Sequence, residues 1–125
     1  MMWDYRAALL RTIDADTHRL LVDVGFYTRV EIDVRLLGVS APELGQPGST
    51  EAVQYTTLWF DSLDPTRRWP LHIRTTTTAT AEPTEKRSFT RWVGTIADIA
   101  HPERASLNIV LADYLQAHPE WGSGQ

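Results

Sequence analysis

Apolar and polar residues alternate through most of the first 36 positions, a period of two that reads as extended strands. Tyr5, Ala7, Leu9 and the terminal Ile13 alternate with Arg6 and Arg11. After a break at Asp14-Ala15-Asp16 the pattern resumes with Leu20, Val22 and Val24, so the two runs form a hairpin. A turn at Val24-Gly25 leads into the clearest alternation of the chain. Val30, Ile32, Val34 and Leu36 share one face, with Arg29, Glu31, Asp33 and Arg35 on the other. The first face is core. Pro42 ends this strand because it cannot donate to a ladder, and Gly45-Gln46-Pro47-Gly48 forms a loop.

The period then changes. Ala52, Tyr55, Leu58, Trp59 and Leu63 follow helical spacing, with Ser49 or Thr50 as the cap, Glu51 in the first turn and an end before Pro65. Leu71, Ile73 and the threonines after them read as a fourth strand, and the later part of the Thr75–Thr84 stretch reads as a loop. Trp92, Gly94 and Ile96 alternate with Val93, Thr95 and Ala97 as a fifth strand. A second helix carries Leu107, Val110, Leu111, Tyr114 and Leu115 on one stripe, capped by Ser106. The order β-β-β-α-β-β-α describes a mainly β, α+β chain on the plan of the five-stranded oligonucleotide/oligosaccharide-binding (OB) barrel, whose closure removes exposed edges.

Composition narrows the class further. At 125 residues, 42% apolar and 22% charged, the chain is one globular domain over 1–125, with a core about 5–118 and a tail over 119–125. No apolar run has the length of a membrane span and the N-terminus lacks a secretory pattern, which predicts a cytoplasmic protein with no membrane partner. Without cysteine there is no disulfide framework, thiolate zinc site or cysteine nucleophile. The net charge of −4 disfavours a general nucleic-acid sponge. Yet residues 65–91 hold six basic groups, Arg67, Arg68, Arg74, Lys86, Arg87 and Arg91, against Glu82 and Glu85. Only one base of the chain is lysine, and arginine suits forked recognition of phosphate.

Acids and arginines gather at Asp14-Ala15-Asp16-Thr17, at Arg35-Leu36-Leu37-Gly38-Val39-Ser40-Ala41-Pro42-Glu43, and at Arg87-Ser88-Phe89-Thr90-Arg91. In order and spacing these resemble the staphylococcal-nuclease-like (thermonuclease) family, whose pattern is Asp-Gly-Asp-Thr, then Arg-Leu before Gly-Ile-Asp-Ala-Pro-Glu, then Asp-x-Tyr/Phe-Gly-Arg. The Leu107-Asn108 helix start also fits, so the resemblance covers nearly the whole chain. It implies a metal-dependent nuclease cutting DNA or RNA with little sequence preference. The same resemblance implies Asp16 as a metal ligand, Asp14 as a nearby acid, Ser40 at a ligand position and the Ala41 carbonyl as a backbone ligand. Glu43 would be the general base, and Arg35 and Arg91 the phosphate-binding arginines. Lys86, Arg87 and Phe89 would meet the nucleic acid. The implied cofactor is a divalent cation, calcium by resemblance, with magnesium or manganese as alternatives, and a monomer is expected.

Departures from the family shape these expectations. Ser40 stands where the family has a second metal-binding Asp, so calcium binding should weaken. Ala15 and Thr90 replace glycines, which bears on the backbone torsions of those turns. The residues after the second helix are expected to lack the family's third C-terminal helix. The residues also have plainer readings: Asp14 and Asp16 as turn-shaping acids, Arg35 paired with Glu31 or Asp33, Glu43 as a loop acid, the four histidines as ordinary side chains, Trp121 as packing. The rival function is a degenerate barrel that binds single-stranded nucleic acid or a protein without cutting, and a third is a structural adaptor.

Overall fold

A computed structural model describes residues 2–76 and 91–124. Strands β1 (Met2–Asp14), β2 (Thr17–Gly25), β3 (Thr28–Leu36), β4 (Leu71–Thr76) and β5 (Arg91–Asp98) close into a barrel in the order β1-β2-β3-β5-β4. Helix α1 (Ser49–Asp61) lies between β3 and β4 and α2 (Leu107–Gln116) follows β5. All strand pairs are antiparallel except β3 with β5. β1 is long because it serves both neighbours: its N-terminal half pairs with β4 and Arg6–Asp14 with β2. A register shift between Leu9 and Arg11 interrupts the alternation and leaves Leu10 on the surface.

The inward positions are those the alternation assigns: Ala7, Leu20, Val22, Val34, Leu36, Leu71, Ile73 and Ile96 are fully buried. Gly94 takes the same inner register, where a Cβ would stand 2.5 Å from the Arg74 carbonyl oxygen. Its missing side chain lets β4 and β5 approach. At the far ends of β2 and β3 the expected core face opens, since Val24 and Val30 are exposed.

α1 departs from its expected stripe. Its buried face is Ala52, Thr56, Trp59 and Phe60, whereas Leu58 is 68% exposed. Thr56 is tolerated inside because its hydroxyl donates to the Val53 carbonyl at 2.8 Å. Neither Ser49 nor Thr50 caps this helix. Gly48 is the N-cap, at φ 87°, and the Trp121 ring occupies the space its Cβ would need. Ser106 does cap α2, accepting from the Ile109 amide at 3.3 Å. Pro119–Gly124 of the expected tail forms a 3-10 helix, and Trp121 stacks on His118 at 4.1 Å, which is a packing role.

Candidate active site

One end of the barrel is formed by the β1–β2 turn, the end of β3 and the loop after it. Ala15 and Asp16 are the two residues between Asp14 and Thr17, which face each other across the ladder. Ala15 is fully buried and its φ is not positive, so the glycine expected there is dispensable. Asp16 is buried and binds in three directions. Its carbonyl accepts from the Leu36 amide at 2.8 Å, Oδ2 accepts from the Ala41 amide at 3.1 Å, and Oδ1 accepts from the Thr17 hydroxyl at 3.4 Å. The Arg35 guanidinium reaches Oδ2 at 3.8 Å. Arg35 is therefore not paired within its own strand; Asp33 is taken by Arg19 at 2.8 Å.

These bonds bring Asp16, Arg35 and Ala41 together. Ala41 and Pro42 are buried, which fixes where the loop re-emerges, and Ser40 and Glu43 on either side of them are exposed. Asp14 is half-buried at the end of β1. Arg91 joins through register alone: it lies opposite Asp33 on β3, two residues before Val93, which lies opposite Arg35. Lys86, Arg87, Phe89 and Thr90 lie outside the described residues. Of the remaining basic segment, Arg74 is bound to Asp4 at 2.9 Å and Arg67 to Asp64 at 3.8 Å, so two of its cations already face carboxylates.

Calcium takes about six to eight oxygen ligands, usually several of them carboxylates. Asp16 supplies one buried carboxylate, and its Oδ2 already faces an amide and a guanidinium. No three acidic or imidazole side chains converge among the described residues. Among the described residues the β1–β2 turn thus offers a cation one buried carboxylate, Asp16.

Asn108, His18 and Asp98, to which the sequence reading assigned no role at the site, hold the end together. Asn108 is buried at the start of α2; its Oδ1 accepts from the Ile96 amide at 3.1 Å, and its Nδ2 donates to the carbonyls of Leu37 at 3.0 Å and Gly94 at 3.1 Å. It thereby ties α2, β5 and the chain leaving β3. His18 is fully buried between the Thr12 hydroxyl at 3.0 Å and the Ala15 carbonyl at 2.9 Å, edge-on to Phe60 of α1. A carbonyl only accepts, so Nε2 carries the proton and Nδ1 accepts from Thr12. Burial lowers the pKa of His18 to about 4, against the raising effects of the Ala15 carbonyl and the Asp16 charge. Asp98, buried at the end of β5, accepts from the Ala100 amide, His101 and Arg104 at 3.0–3.1 Å. Burial would raise its pKa, but these bonds outweigh it and the pKa falls. Arg104 also donates to Ser62 at 2.7 Å and lies over Trp59, linking this acid to α1. A polar residue at a helix start or strand end was the available signal for each.

Neither a protein-family model nor a curated protein matches the chain.

Proposed function

We propose that this barrel is an OB fold of the staphylococcal-nuclease-like kind, and that its Asp16–Arg35–Glu43 end grips and hydrolyses the phosphodiester backbone of DNA or RNA. The supporting observation is the Asp16 Oδ2 bond to the Ala41 amide with Arg35 at the same oxygen, which draws the β1–β2 turn, β3 and the Glu43 loop to one place. Glu43 is an exposed carboxylate suited to taking a proton from an attacking water. Arg35 presents a forked cation that stays charged at any working pH, with side-chain exposure of 39% to meet a phosphate. By the resemblance, Arg91 of the neighbouring strand would supply a second.

A second reading, a barrel that binds without cutting, draws support from the donors around Asp16, which compensate its charge internally. The test is incubation of purified protein with labelled single-stranded DNA and RNA in calcium, magnesium, manganese or chelator. Cleavage in a cation arm that Glu43→Gln abolishes supports hydrolysis. Absence of cleavage in every arm, with oligonucleotide binding retained, selects the second reading. Ser40→Asp should tighten calcium binding in calorimetry by adding a charged oxygen where the site lacks one. Unchanged calcium affinity in that variant would separate Ser40 from any metal role.

A further inference from the structure

The β2–β3 hairpin ends in an arrangement that the barrel itself does not need. Gly25 and Thr28 face each other across the ladder, so the turn consists of Phe26 and Tyr27. Both have positive φ, 55° and 60°, the pattern of a type I′ turn that Asn-Gly normally fills. Bulky side chains in this region are strained, and strain of this kind concentrates at functional sites. Neither ring contributes to the core, since each is 99% exposed. Two adjacent, fully exposed aromatic rings on a strained turn add nothing visible to folding.

Beside the tip lies a cleft of about 330 Å³, walled by Phe26, Tyr27, Arg6, Arg29, Arg68 and Trp69. Asp23 also lines it, and that carboxylate is held by Arg6 at 2.7 Å. Arg6 and Arg68 stand over the Trp69 ring at 5.8 and 5.5 Å from its centre. Three guanidinium groups against one already paired carboxylate make this cleft locally cationic on a chain of net charge −4. Flat rings interleaved with forked cations match bases and phosphates in alternation.

We propose that this cleft binds single-stranded nucleic acid, with bases stacking on Phe26, Tyr27 and Trp69 and phosphates meeting Arg29 and Arg68. The inference takes from the proposed function only that nucleic acid is the ligand; it requires no hydrolysis. β2 runs from the Asp16–Arg35 end to this tip over Thr17–Gly25, nine residues or roughly 27 Å at about 3.4 Å per residue. A strand touching both ends is several nucleotides long, within the roughly 4–16 nucleotides such a barrel covers. A concave wall also favours a strand over a lipid surface, which would take a protruding tip but leave Arg68 and Trp69 unused.

The experiment is fluorescence anisotropy with labelled oligothymidylate of about 12 nucleotides and with a dinucleotide, in chelator so that nothing is cut. The proteins are the full chain, Phe26→Ser/Tyr27→Ser, Arg29→Glu and Arg68→Glu, each checked by thermal melting. The double aromatic variant should weaken the longer ligand by on the order of 10-fold per ring and leave the dinucleotide unchanged. Each arginine reversal should weaken it further as salt is lowered, because the lost contact is to phosphate. Equal affinity of all the folded variants, or absence of oligonucleotide binding by the parent protein, overturns the proposal. So does tip-dependent binding to anionic lipid vesicles with oligonucleotide binding unaffected. The two proposals fail separately: failure here leaves Glu43-dependent cleavage intact, whereas failure of the hydrolytic reading leaves tip-dependent binding intact.

Discussion

The two ends of the barrel are built on opposite principles. At the end holding Asp16, His18, Asp98 and Asn108, buried polar groups are hydrogen-bonded across elements, and Phe60 of α1 packs onto His18. At the other end the inward faces of all five strands surround a cavity of about 250 Å³ lined by Trp3, Tyr5, Val22, Val24, Val30, Ile32, Thr75 and Trp92. One end spends its polar side chains on locking backbone in place; the other leaves apolar wall and strained aromatic residues in view. Positions at the first should therefore be costly to change, and those at the second tolerant in stability yet sensitive in binding.

The largest expected effect is chemical. Glu43→Gln keeps size and removes basicity, so phosphodiester cleavage should fall by about 10²–10⁴-fold, with an unchanged melting temperature. A wild-type rate in a folded variant would remove Glu43 from the chemistry and leave the locked end purely structural.

Next in size is Asn108→Ala, which leaves the buried Ile96 amide without its acceptor and takes a donor from the Leu37 and Gly94 carbonyls. It should cost on the order of 3 kcal/mol in urea denaturation. Val24→Ser at the open end should stay within about 0.5 kcal/mol, because its site already faces solvent. Similar costs at both positions would erase the contrast between the ends.

Acid should act on the locked end first. The pKa of His18 is depressed to about 4 in the fold against 6.5 when exposed, so the unfolded chain takes up a proton that the folded chain refuses. Its stabilisation is complete above about pH 6.5 and is lost as pH falls toward 4, in total on the order of 3 kcal/mol. Asp98, whose pKa is lowered in the fold, adds to the loss at still lower pH. Denaturation midpoints measured between pH 7 and 4 should show a shallower slope in His18→Gln. An equal slope would place the acid sensitivity elsewhere.

The smallest effect has the opposite sign. Phe26→Asn with Tyr27→Gly installs the preferred turn residues and should stabilise the protein by about 1 kcal/mol. The same variant should lose oligonucleotide affinity. A gain in stability without a loss in binding would mark the aromatic tip as strain with no return.

Much of the architecture was legible because its signals are local. Alternation at Leu20-Val22 and Val34-Leu36 reports which side chains share a face, and Ser106 carries its capping oxygen wherever the helix goes. The candidate site was legible as residues rather than as geometry: Asp16, Arg35 and Ala41 converge, whereas no three acidic or imidazole side chains do so among the described residues. A motif records residue types, but the oxygen a cation would use is set by donors arriving from other segments.

What the sequence by itself determined is therefore the set of strands, the two helices and the inward face along the middle of the strands. Tertiary structure alone decided that Thr56 and Phe60 rather than Leu58 face inward, and that Gly48 starts α1 beneath Trp121. It also decided that Val24 and Val30 stand at an open mouth. Periodicity specifies direction relative to the backbone, whereas burial depends on what another part of the chain places opposite, and that partner is far away in sequence.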